Sequence, residues 1–369
     1  MRTPAISVII PCYNPPIYIK QCIKSVLRQT FRDIEVIVVD DGSTNQKWVN
    51  YIERYSNKDH RLQIVRNEHH GTALTRKAGY LLARGEYIFF LDCDDWLPND
   101  ALHILYQTAT STGADVTIGK LHRVADSYGL IPIKASAPKC ETIGKLIPKN
   151  DILKVCYGSL VSSVEDPVTM VVTGRLFRSS CIQQAIDEKH LFPVCNRAED
   201  SYFCLVLMPY IDSMYLINDI VYHYRNTGRS MTTINHTSDS GEFFNYRFDQ
   251  FEKWNFQEGH PRTFAAFAAE LYWDLKVIFL TGKYSRDEII AYIYEHVSTY
   301  RIVNWAKNNI EQIEGLPNHF KMIATEAPED VYKWCDDAFH TRSFKKHYFL
   351  KQCAIALAKV IDFVYEILH

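Results

Sequence analysis

Residues 85–95 have the sequence GEYIFFLDCDD, in which an uninterrupted apolar stretch ends directly in three carboxylates. Unbroken apolar runs of this length are typical of strands that are buried on both faces of a parallel sheet. Carboxylates crowded at the end of such a strand repel one another, and burial raises the energetic cost further, so they normally hold a cation. Oxygen ligands in a partly open site favour Mg²⁺ or Mn²⁺.

Two of the three carboxylates are expected at such a metal. Alternate residues of an extended segment point to the same side, so Asp92 and Asp94 can share a metal site while Asp95 turns aside. A second interpretation stays open, in which Asp94 and Asp95 only cap the next helix, which has Pro98 in its first turn. For Asp95 itself we expect capping.

The segments that precede this motif alternate strands with helices. Apolar, β-branched runs predict strands at 6–10, 34–39, 62–65 and 87–91. Apolar residues at helical spacing predict helices at 17–29, 48–55 and 72–83. This order predicts an α/β fold with a mostly parallel sheet between helices. Because ligands bind beyond the carboxyl ends of such strands, the polar clusters 11–14, 40–43 and 92–95 should converge on one rim.

The cluster Asp40-Asp41-Gly42-Ser43 follows the second predicted strand. A carboxylate there can accept a hydrogen bond from a nucleobase or from ribose hydroxyls, and Gly42 lets a ligand approach the backbone. A plain turn capped by Ser43 or Thr44 explains the same residues. Arg76, on the third predicted helix, faces the same rim and can neutralise a diphosphate, although an isolated arginine on a helix is also typical of a solvated face.

The rest of the chain has a looser pattern. Strands are predicted at 116–123, 170–177 and 214–224, whereas the Pro, Lys and Ser content of 124–150 predicts a loop insertion. After about residue 240, long helical stretches rich in aromatic residues predict a separate region. We therefore expect a domain over 1–235, with halves 1–100 and 101–235, and a helical region over 236–369.

The composition restricts the class of protein. The 369 residues are 47% hydrophobic and 23% charged, which is typical of globular proteins, and a net charge of −2 gives no basic field for nucleic acid. Ten cysteines without a CxxC pair favour reduced thiols. We expect no cleavable signal peptide before the first strand, and no uncharged apolar run is long enough to span a membrane. These features predict a cytoplasmic protein.

Taken in order, the motifs of residues 6–96 resemble those of the family 2 glycosyltransferases with the GT-A fold, of the bacterial surface-polysaccharide type. The shared strings are SVIIPCYN at 7–14, SVLRQTF at 25–31, VVDDGS at 38–43 and GEYIFFLDCDD at 85–95, with Asn67, Gly71, Arg76 and Gly79 between them. The resemblance implies that 1–100 is a nucleotide-binding half and 101–235 an acceptor half.

The resemblance also implies roles for individual residues. It implies a nucleotide-sugar site made of Pro11, Tyr13, Asn14, Asp41, Asn67, Arg76 and Asp92. Within that site Pro11, Tyr13 and Asp41 hold the base, and Arg76 approaches the base or the diphosphate. Asp92 contacts ribose or the metal, and Asp94 coordinates the Mn²⁺ or Mg²⁺ on the diphosphate.

A weaker match continues downstream. Glu199-Asp200 resembles a motif in which the Asp is the general base and the Glu contacts the acceptor. Arg229 and Ser230 resemble part of a loop that closes over the diphosphate. A helix N-terminus and a plain surface turn, respectively, are the other interpretations. The histidine pair His69-His70 and Lys77 depart from the family pattern, and we expect neither to touch the chemistry.

The function implied by the resemblance is metal-dependent, inverting transfer of a sugar from a nucleotide diphosphate, most often UDP, to a hydroxyl of a glycan or lipid-linked acceptor. Two other functions remain: a sugar nucleotidyltransferase and an inactive nucleotide-sugar-binding protein. The loop at 11–14 lacks the glycines and the Arg-Lys pair of the first class, and the presence of Asp94 and Asp200 argues against the second. A dehydrogenase is disfavoured because no GxGxxG occurs.

Three features have more than one interpretation. His223 is either a metal ligand or, as we favour, an ordinary strand residue. The aromatic residues between 243 and 305 are expected mostly in a core rather than on sugar rings. The amphipathic segment 347–368 packs against the helical region or a second subunit, as in a homodimer, or lies peripherally on the inner face of a membrane.

Overall fold

The computed structural model describes residues 3–15, 18–44, 46–124, 132–135, 142–157, 171–188, 190–193, 198–225, 240–313 and 316–339. Contacts within the chain divide it into two compact units, the first made of Met1–Ile152 and Glu165–Asn226 and the second of Leu153–Val164 and Thr227–His369. The predicted domain boundary at 235 lies outside the described residues. So do Arg229, Ser230 and the segment 347–368.

The first unit is built on one mixed sheet. Its strands are β1 (Ile6–Cys12), β2 (Ile34–Asp40), β3 (Leu62–Arg66), β4 (Tyr87–Phe90), β5 (Val116–Val124), β6 (Pro132–Ala135), β7 (Leu146–Pro148), β8 (Arg175–Arg178) and β9 (Ser213–Arg225). The helices along the same part of the chain are α1 (Ile19–Leu27), α2 (Gln46–Ser56), α3 (Thr72–Leu82), α4 (Ala101–Thr112), α5 (Lys149–Tyr157), α6 (Ser179–Ala185) and α7 (Glu199–Leu207). The strand order is β3-β2-β1-β4-β8-β5-β9-β7, with β6 paired to β5.

The parallel part of the sheet determines where the polar clusters lie. Strand β1 pairs in parallel with β2 and with β4, and β2 pairs in parallel with β3. All residues of β1, β2 and β4 are buried, as their unbroken apolar runs predict. Helix α3 packs closely on this layer: a Cβ atom added to Gly79 would lie 2.4 Å from the side chain of Ile9. The carboxyl ends of the four strands therefore share one edge, and the predicted α/β fold is confirmed.

The sheet differs from the prediction beyond β4. Strand β8 lies antiparallel between β4 and β5, and it begins at Arg175 rather than at 170. The prediction of a loop over 124–150 is wrong at both ends, because β6 pairs with the end of β5 and β7 pairs with β9. These strands have four and three residues. Such short strands at the border of a sheet are held by backbone hydrogen bonds, so their side chains carry little periodic signal.

The second unit is helical in its described part, as predicted. It contains α8 (Ser240–Lys253), α9 (His260–Thr281), α10 (Arg286–Thr299), α11 (Arg301–Asn309), α12 (Asn318–Thr325) and α13 (Pro328–Phe339). The rings of Phe243, Phe244 and Phe251 are buried, which confirms the expectation of a core position for these three. Over the residues that the structure describes, no helix is long and apolar enough to cross a membrane.

Candidate active site

Arg76 lies at the centre of a cluster of carboxylates at the carboxyl edge of the sheet. Its Nη1 atom is 2.5 Å from Oδ1 of Asp200, and its Nη2 atom is 2.9 Å from Oδ1 of Asp92. Oε1 of Glu199 lies 3.5 Å from the same Nη1 atom. Helix α3 carries Arg76, Asp92 is the second residue after β4, and Glu199 and Asp200 open α7. The structure thus joins three segments that the sequence presents separately.

The charges of this cluster are unbalanced. Arg76 is only 4% exposed and faces three carboxylates, so one cation is shared among three anions. Burial raises the pKa of Asp200, while Arg76 acts in the opposite direction. Burial, and then the charge of Asp200, raises the pKa of Glu199 to about 7. A carboxylate with a raised pKa is a stronger proton acceptor than an ordinary one, which suits general base catalysis near neutral pH.

Asp94 is the second predicted metal ligand. Burial, and then repulsion by Asp92, raises the pKa of Asp94 to about 6. A desolvated carboxylate of this kind is stabilised by a cation. Among the described residues, no three His, Cys, Asp or Glu side chains gather into a metal-binding group. Two carboxylates are enough to hold Mg²⁺ or Mn²⁺ when water and substrate phosphates supply the other ligands, which is how Mg²⁺ is commonly bound. They are too few for a site whose ligands all come from the protein.

Asp95 has a different role from the one predicted. Helix α4 begins at Ala101, well beyond it, and the carboxylate of Asp95 is buried. It accepts hydrogen bonds from the hydroxyl of Tyr222 at 2.8 Å and from the backbone N–H of Arg225 at 2.7 Å. The capping prediction for Asp95 is therefore wrong. Its hydrogen-bond donors lie on β9, which is distant in the sequence and comes near Asp95 only in the folded chain. These bonds tie the acidic motif to β9.

The predicted nucleotide-base residues lie at the ends of β1 and β2. Asp41 is buried, and its carboxylate accepts from the backbone N–H groups of His70 and Gly71, both at 2.9 Å. Asn14 joins the two loops, because its N–H donates to Ser43 Oγ at 2.7 Å and its Oδ1 accepts from the N–H of Thr44 at 2.9 Å. These contacts place the polar clusters 11–14 and 40–43 side by side.

The remaining predicted donor residues are close to these loops. Pro11 lies within β1, opposite Val39 of β2. The backbone N–H of Asn67 donates to the carbonyl of Asp40 at 2.8 Å, so the segment after β3 joins the same edge. The Tyr13 side chain is 47% exposed, which leaves much of its ring open to a ligand.

His69 lies against two of the predicted base residues, although the sequence analysis expects it to stay outside the chemistry. Its ring stacks on Tyr13 with centroids 4.0 Å apart, and its Nδ1 atom is 2.8 Å from Oδ2 of Asp41. The departure from the family pattern at His69-His70 is the signal that points to it. The partners of His69 cannot be read from the sequence, because Tyr13 follows β1, Asp41 follows β2, and only the fold brings them to His69.

Arg225, the last residue of β9, also contacts the acidic motif. Its guanidinium lies 3.9 Å from the ring centroid of Tyr18 and 4.6 Å from that of Trp96. Its Nε donates to the carbonyl of Asp94 at 2.9 Å, and its Nη2 donates to Oε1 of Gln21 at 2.6 Å. Arg225, which lies on β9, therefore fixes the backbone of the predicted metal ligand Asp94.

His223 is a residue of strand β9, as we favour from the sequence. Its ring stacks on Trp96 at 4.8 Å, and its Nδ1 lies 3.3 Å from Nδ1 of His122. Burial, followed by the neighbouring His122, lowers the pKa of His223 to about 4. The imidazole is therefore neutral at physiological pH.

Comparison with known proteins finds a family match over part of the chain. Residues 7–166 match the family described as Glycosyl transferase family 2. Glycosyltransferase GlyA of Streptococcus pneumoniae serotype 4 is 34% identical over 125 residues, which are 34% of this chain and 18% of GlyA. Putative glycosyltransferase EpsH of Bacillus subtilis is 28% identical over 239 residues, which are 61% of this chain and 62% of EpsH. The chain thus spans less than two thirds of the length of these relatives.

Comparison with solved structures agrees with the fold. The crystal structure of S. aureus TarS 1–349 in complex with UDP-GlcNAc superimposes with a TM-score of 0.56 at 17% identity, over 90% of this chain and 91% of that one. At this identity the likeness concerns the fold alone. Together with the sequence match over residues 7–166, it shows that the chain has the GT-A fold and is similar to glycosyl transferase family 2 over that part of its length.

Proposed function

We propose that the protein is a metal-dependent, inverting glycosyltransferase that moves a sugar from a nucleotide diphosphate, most simply UDP, to a hydroxyl of a glycan or lipid-linked acceptor. The observation that carries the proposal is the cluster of Arg76, Asp92 and Asp200. It joins a residue of the predicted donor half to the predicted base across the edge of the sheet where ligands bind in this architecture.

The donor would lie along the ends of β1, β2 and β4. Tyr13 and the loop fastened by Asp41 face the base, and Asp92 and Asp94 face the diphosphate. A bound Mn²⁺ or Mg²⁺ supplies positive charge that stabilises the departing diphosphate. The carboxylates of Asp92 and Asp94 would hold it. They repel each other, and Arg76, which pairs with Asp92, offsets their negative charge only in part.

The acceptor would enter from the side of α7. Asp200 takes the proton of the acceptor hydroxyl, whose oxygen bonds to the anomeric carbon while the bond from that carbon to the diphosphate oxygen breaks. Attack opposite the leaving group inverts the anomeric centre. Arg76 fixes Asp200 beside the end of β4, and Glu199, one residue earlier in the same helical turn, contacts the acceptor. Positioning of this kind is the main contribution that a protein makes to such a transfer.

The relatives support the chemical class of the substrates. GlyA and EpsH are named as glycosyltransferases, and TarS 1–349 has been crystallised with UDP-GlcNAc. A bacterial poly(ribitol-phosphate) beta-glucosyltransferase is 33% identical over 120 residues. These names favour a UDP-sugar donor and an acceptor from surface polysaccharide synthesis.

The test is donor hydrolysis in the absence of acceptor. The protein is incubated with UDP-, GDP- and dTDP-sugars in Mn²⁺, in Mg²⁺ and in a chelator, and the released nucleoside diphosphate and the anomer of the sugar are measured. We expect slow release from a UDP-sugar, dependent on metal, with inversion. Binding of a nucleotide sugar without release under any condition would instead indicate an inactive binding protein.

A further inference from the structure

The acidic motif at residues 92–95 forms a turn and is not part of a strand. It begins at the second residue after β4, and the backbone N–H of Asp95 donates to the carbonyl of Asp92 at 3.1 Å. The backbone N–H of Leu91 donates to β1 at 3.0 Å, which fixes the chain where it enters the turn. The positions of Asp92 and Asp94 therefore depend also on what holds the chain where it leaves the turn.

Polar side chains at the end of α1 hold the chain beyond the turn. The backbone N–H of Leu97 donates to Oγ of Ser25 at 3.1 Å. Nε2 of Gln29 donates to the carbonyl of Pro98 at 2.5 Å, and its Oε1 accepts from the backbone N–H of Leu102 at 3.0 Å. Two side chains thus bind the backbone between the acidic motif and the first turn of α4 at three points.

Both side chains are buried and are oriented by the end of α1. Ser25 is 9% exposed, and Gln29 is fully buried. Oγ of Ser25 donates to the carbonyl of Cys22 at 2.7 Å, and Nε2 of Gln29 donates to the carbonyl of Ser25 at 3.0 Å. Burial of a polar side chain costs free energy unless it is hydrogen-bonded, and an apolar side chain would fill a core position without that cost. The polar character of these two residues therefore indicates that they hold the backbone to which they bind.

We propose that Ser25 and Gln29 are positioning residues for the predicted metal site. By fixing the chain where it leaves the turn, they keep the carboxylates of Asp92 and Asp94 where one cation can bind both. This gives a role to the string SVLRQTF at 25–31, which the proposed function leaves without one. Groups that orient metal ligands typically contribute about 10–100-fold to metal affinity. The inference rests on the proposed function, because it needs a cation between the two carboxylates.

The experiment measures the binding of UDP by calorimetric titration, once with Mn²⁺ and once in a chelator, together with urea unfolding. The variants are Ser25→Ala and Gln29→Met. The matched control is Ser7→Ala, because the hydroxyl of Ser7 is also buried and also accepts a backbone N–H, that of Gly85 at 2.8 Å. Ser7 lies near the amino end of β1, whereas the acidic motif lies at the carboxyl edge of the sheet.

The expected result is a loss of the metal effect that stability does not explain. Mn²⁺ should tighten the binding of UDP by the same factor in wild type and in Ser7→Ala. In Ser25→Ala this factor should be about tenfold smaller, while the Kd in the chelator stays within about twofold of wild type. Both serine variants should lower the urea midpoint to a similar extent, because each leaves a buried backbone N–H without its partner. Gln29→Met should lose at least as much of the metal effect, and Ser25→Ala, the milder change, decides the question if Gln29→Met does not fold.

The outcomes separate this inference from the proposed function. If Mn²⁺ tightens UDP binding in wild type and equally in Ser25→Ala, the side chains only support the fold, the inference is wrong and the proposed function stands. A loss of UDP affinity in Ser25→Ala that is equal with Mn²⁺ and in the chelator also overturns the inference, because the donor site as a whole is then affected. If Mn²⁺ does not tighten UDP binding in wild type, the proposed metal dependence is wrong and the inference falls with it.

Discussion

Arg76 and Asp200 are 124 positions apart in the chain, yet Nη1 of Arg76 lies 2.5 Å from Oδ1 of Asp200. The second Nη atom of the same guanidinium holds Asp92, at the end of the central strand. One planar cation therefore sets the distance between the residue proposed for the donor side and the residue proposed as base. A lysine ammonium is a single point charge and has no such fork.

Substitution of Arg76 tests this bridge. Arg76→Lys keeps a charge but cannot contact both carboxylates, so we expect turnover to fall by about 10²-fold while the protein stays folded. Arg76→Met leaves a buried cluster of carboxylates without its cation and should lower the free energy of unfolding by about 3–5 kcal/mol. Turnover and urea unfolding are measured on both. Lys77→Met, on the same helix and partly exposed, is the control. A fully active Arg76→Lys enzyme contradicts the bridge.

Asp200→Asn tests the proposed base. The amide keeps the size of the side chain but cannot take a proton, so turnover should fall by about 10²–10⁴ while donor affinity stays near that of wild type. Donor affinity, melting temperature and turnover are measured on the same sample. A merely structural carboxylate behaves in the opposite way, lowering the melting temperature and leaving the turnover of the folded fraction intact.

Asp94→Ala tests the proposed metal ligand. The carboxylate is buried beside Asp92, and a cation shared with the diphosphate would offset both charges. We expect the variant to lose the Mn²⁺-dependent part of UDP binding, at least tenfold in Kd, and to keep the metal-independent part. Titration of UDP with and without Mn²⁺ measures both. An unchanged effect of Mn²⁺ in the variant removes Asp94 from the metal site.

The sequence is sufficient to predict the strands of the parallel half of the sheet, because each strand is an apolar run that is visible in the local sequence. β1 and β2 were predicted to within two residues of their ends for this reason. The convergence of Asp41, Asp92 and Asp94 on one edge follows from the parallel order alone. By contrast, β6 and β7 consist of a few residues held by backbone pairing, so neither burial nor periodicity marks them.

The hydrogen-bond partners of the site residues cannot be predicted from local sequence. Asp95 looks like a cap because Pro98 follows it, but its donors come from Tyr222 and Arg225 on the last strand of the first unit. Local signals give residue types, and only the packed fold decides which donor reaches which carboxylate. The same holds for His69 and Asp41, whose contact depends on the loop after β3 folding over the end of β2.

Tyr222→Phe tests the tie between the acidic motif and β9. The buried hydroxyl donates to Asp95 Oδ2 at 2.8 Å and accepts from the N–H of Asp92 at 3.1 Å. Its removal leaves two buried polar groups without this partner, so the free energy of unfolding should fall by about 1–3 kcal/mol. Urea unfolding measures the loss. Tyr106→Phe, at a half-buried ring, should change stability by no more than about 0.5 kcal/mol. Equal effects of the two substitutions contradict the assignment.

Glu199→Gln tests the electrostatics of the cluster through the dependence of stability on pH. Burial, and then the charge of Asp200, raises the pKa of Glu199 to about 7, whereas an unfolded glutamate has a pKa near 4.5. The folded protein therefore binds the proton more tightly than the unfolded chain. The stability that this proton contributes is fully present below about pH 4.5 and is lost as the pH rises to 7.

Glutamine cannot ionise, so the variant escapes this loss. Relative to wild type, Glu199→Gln should be more stable at pH 8 than at pH 5, by on the order of 1–3 kcal/mol in the free energy of unfolding. The side chain is 24% exposed, which keeps the expected value toward the lower end of that range. Urea unfolding of both proteins is measured at the two pH values without metal, with Glu68→Gln, at an exposed position, as the control. A difference between variant and wild type that is the same at pH 5 and pH 8 shows that Glu199 does not carry the raised pKa, and the excess negative charge around Arg76 would then have to lie on Asp200 and Asp92.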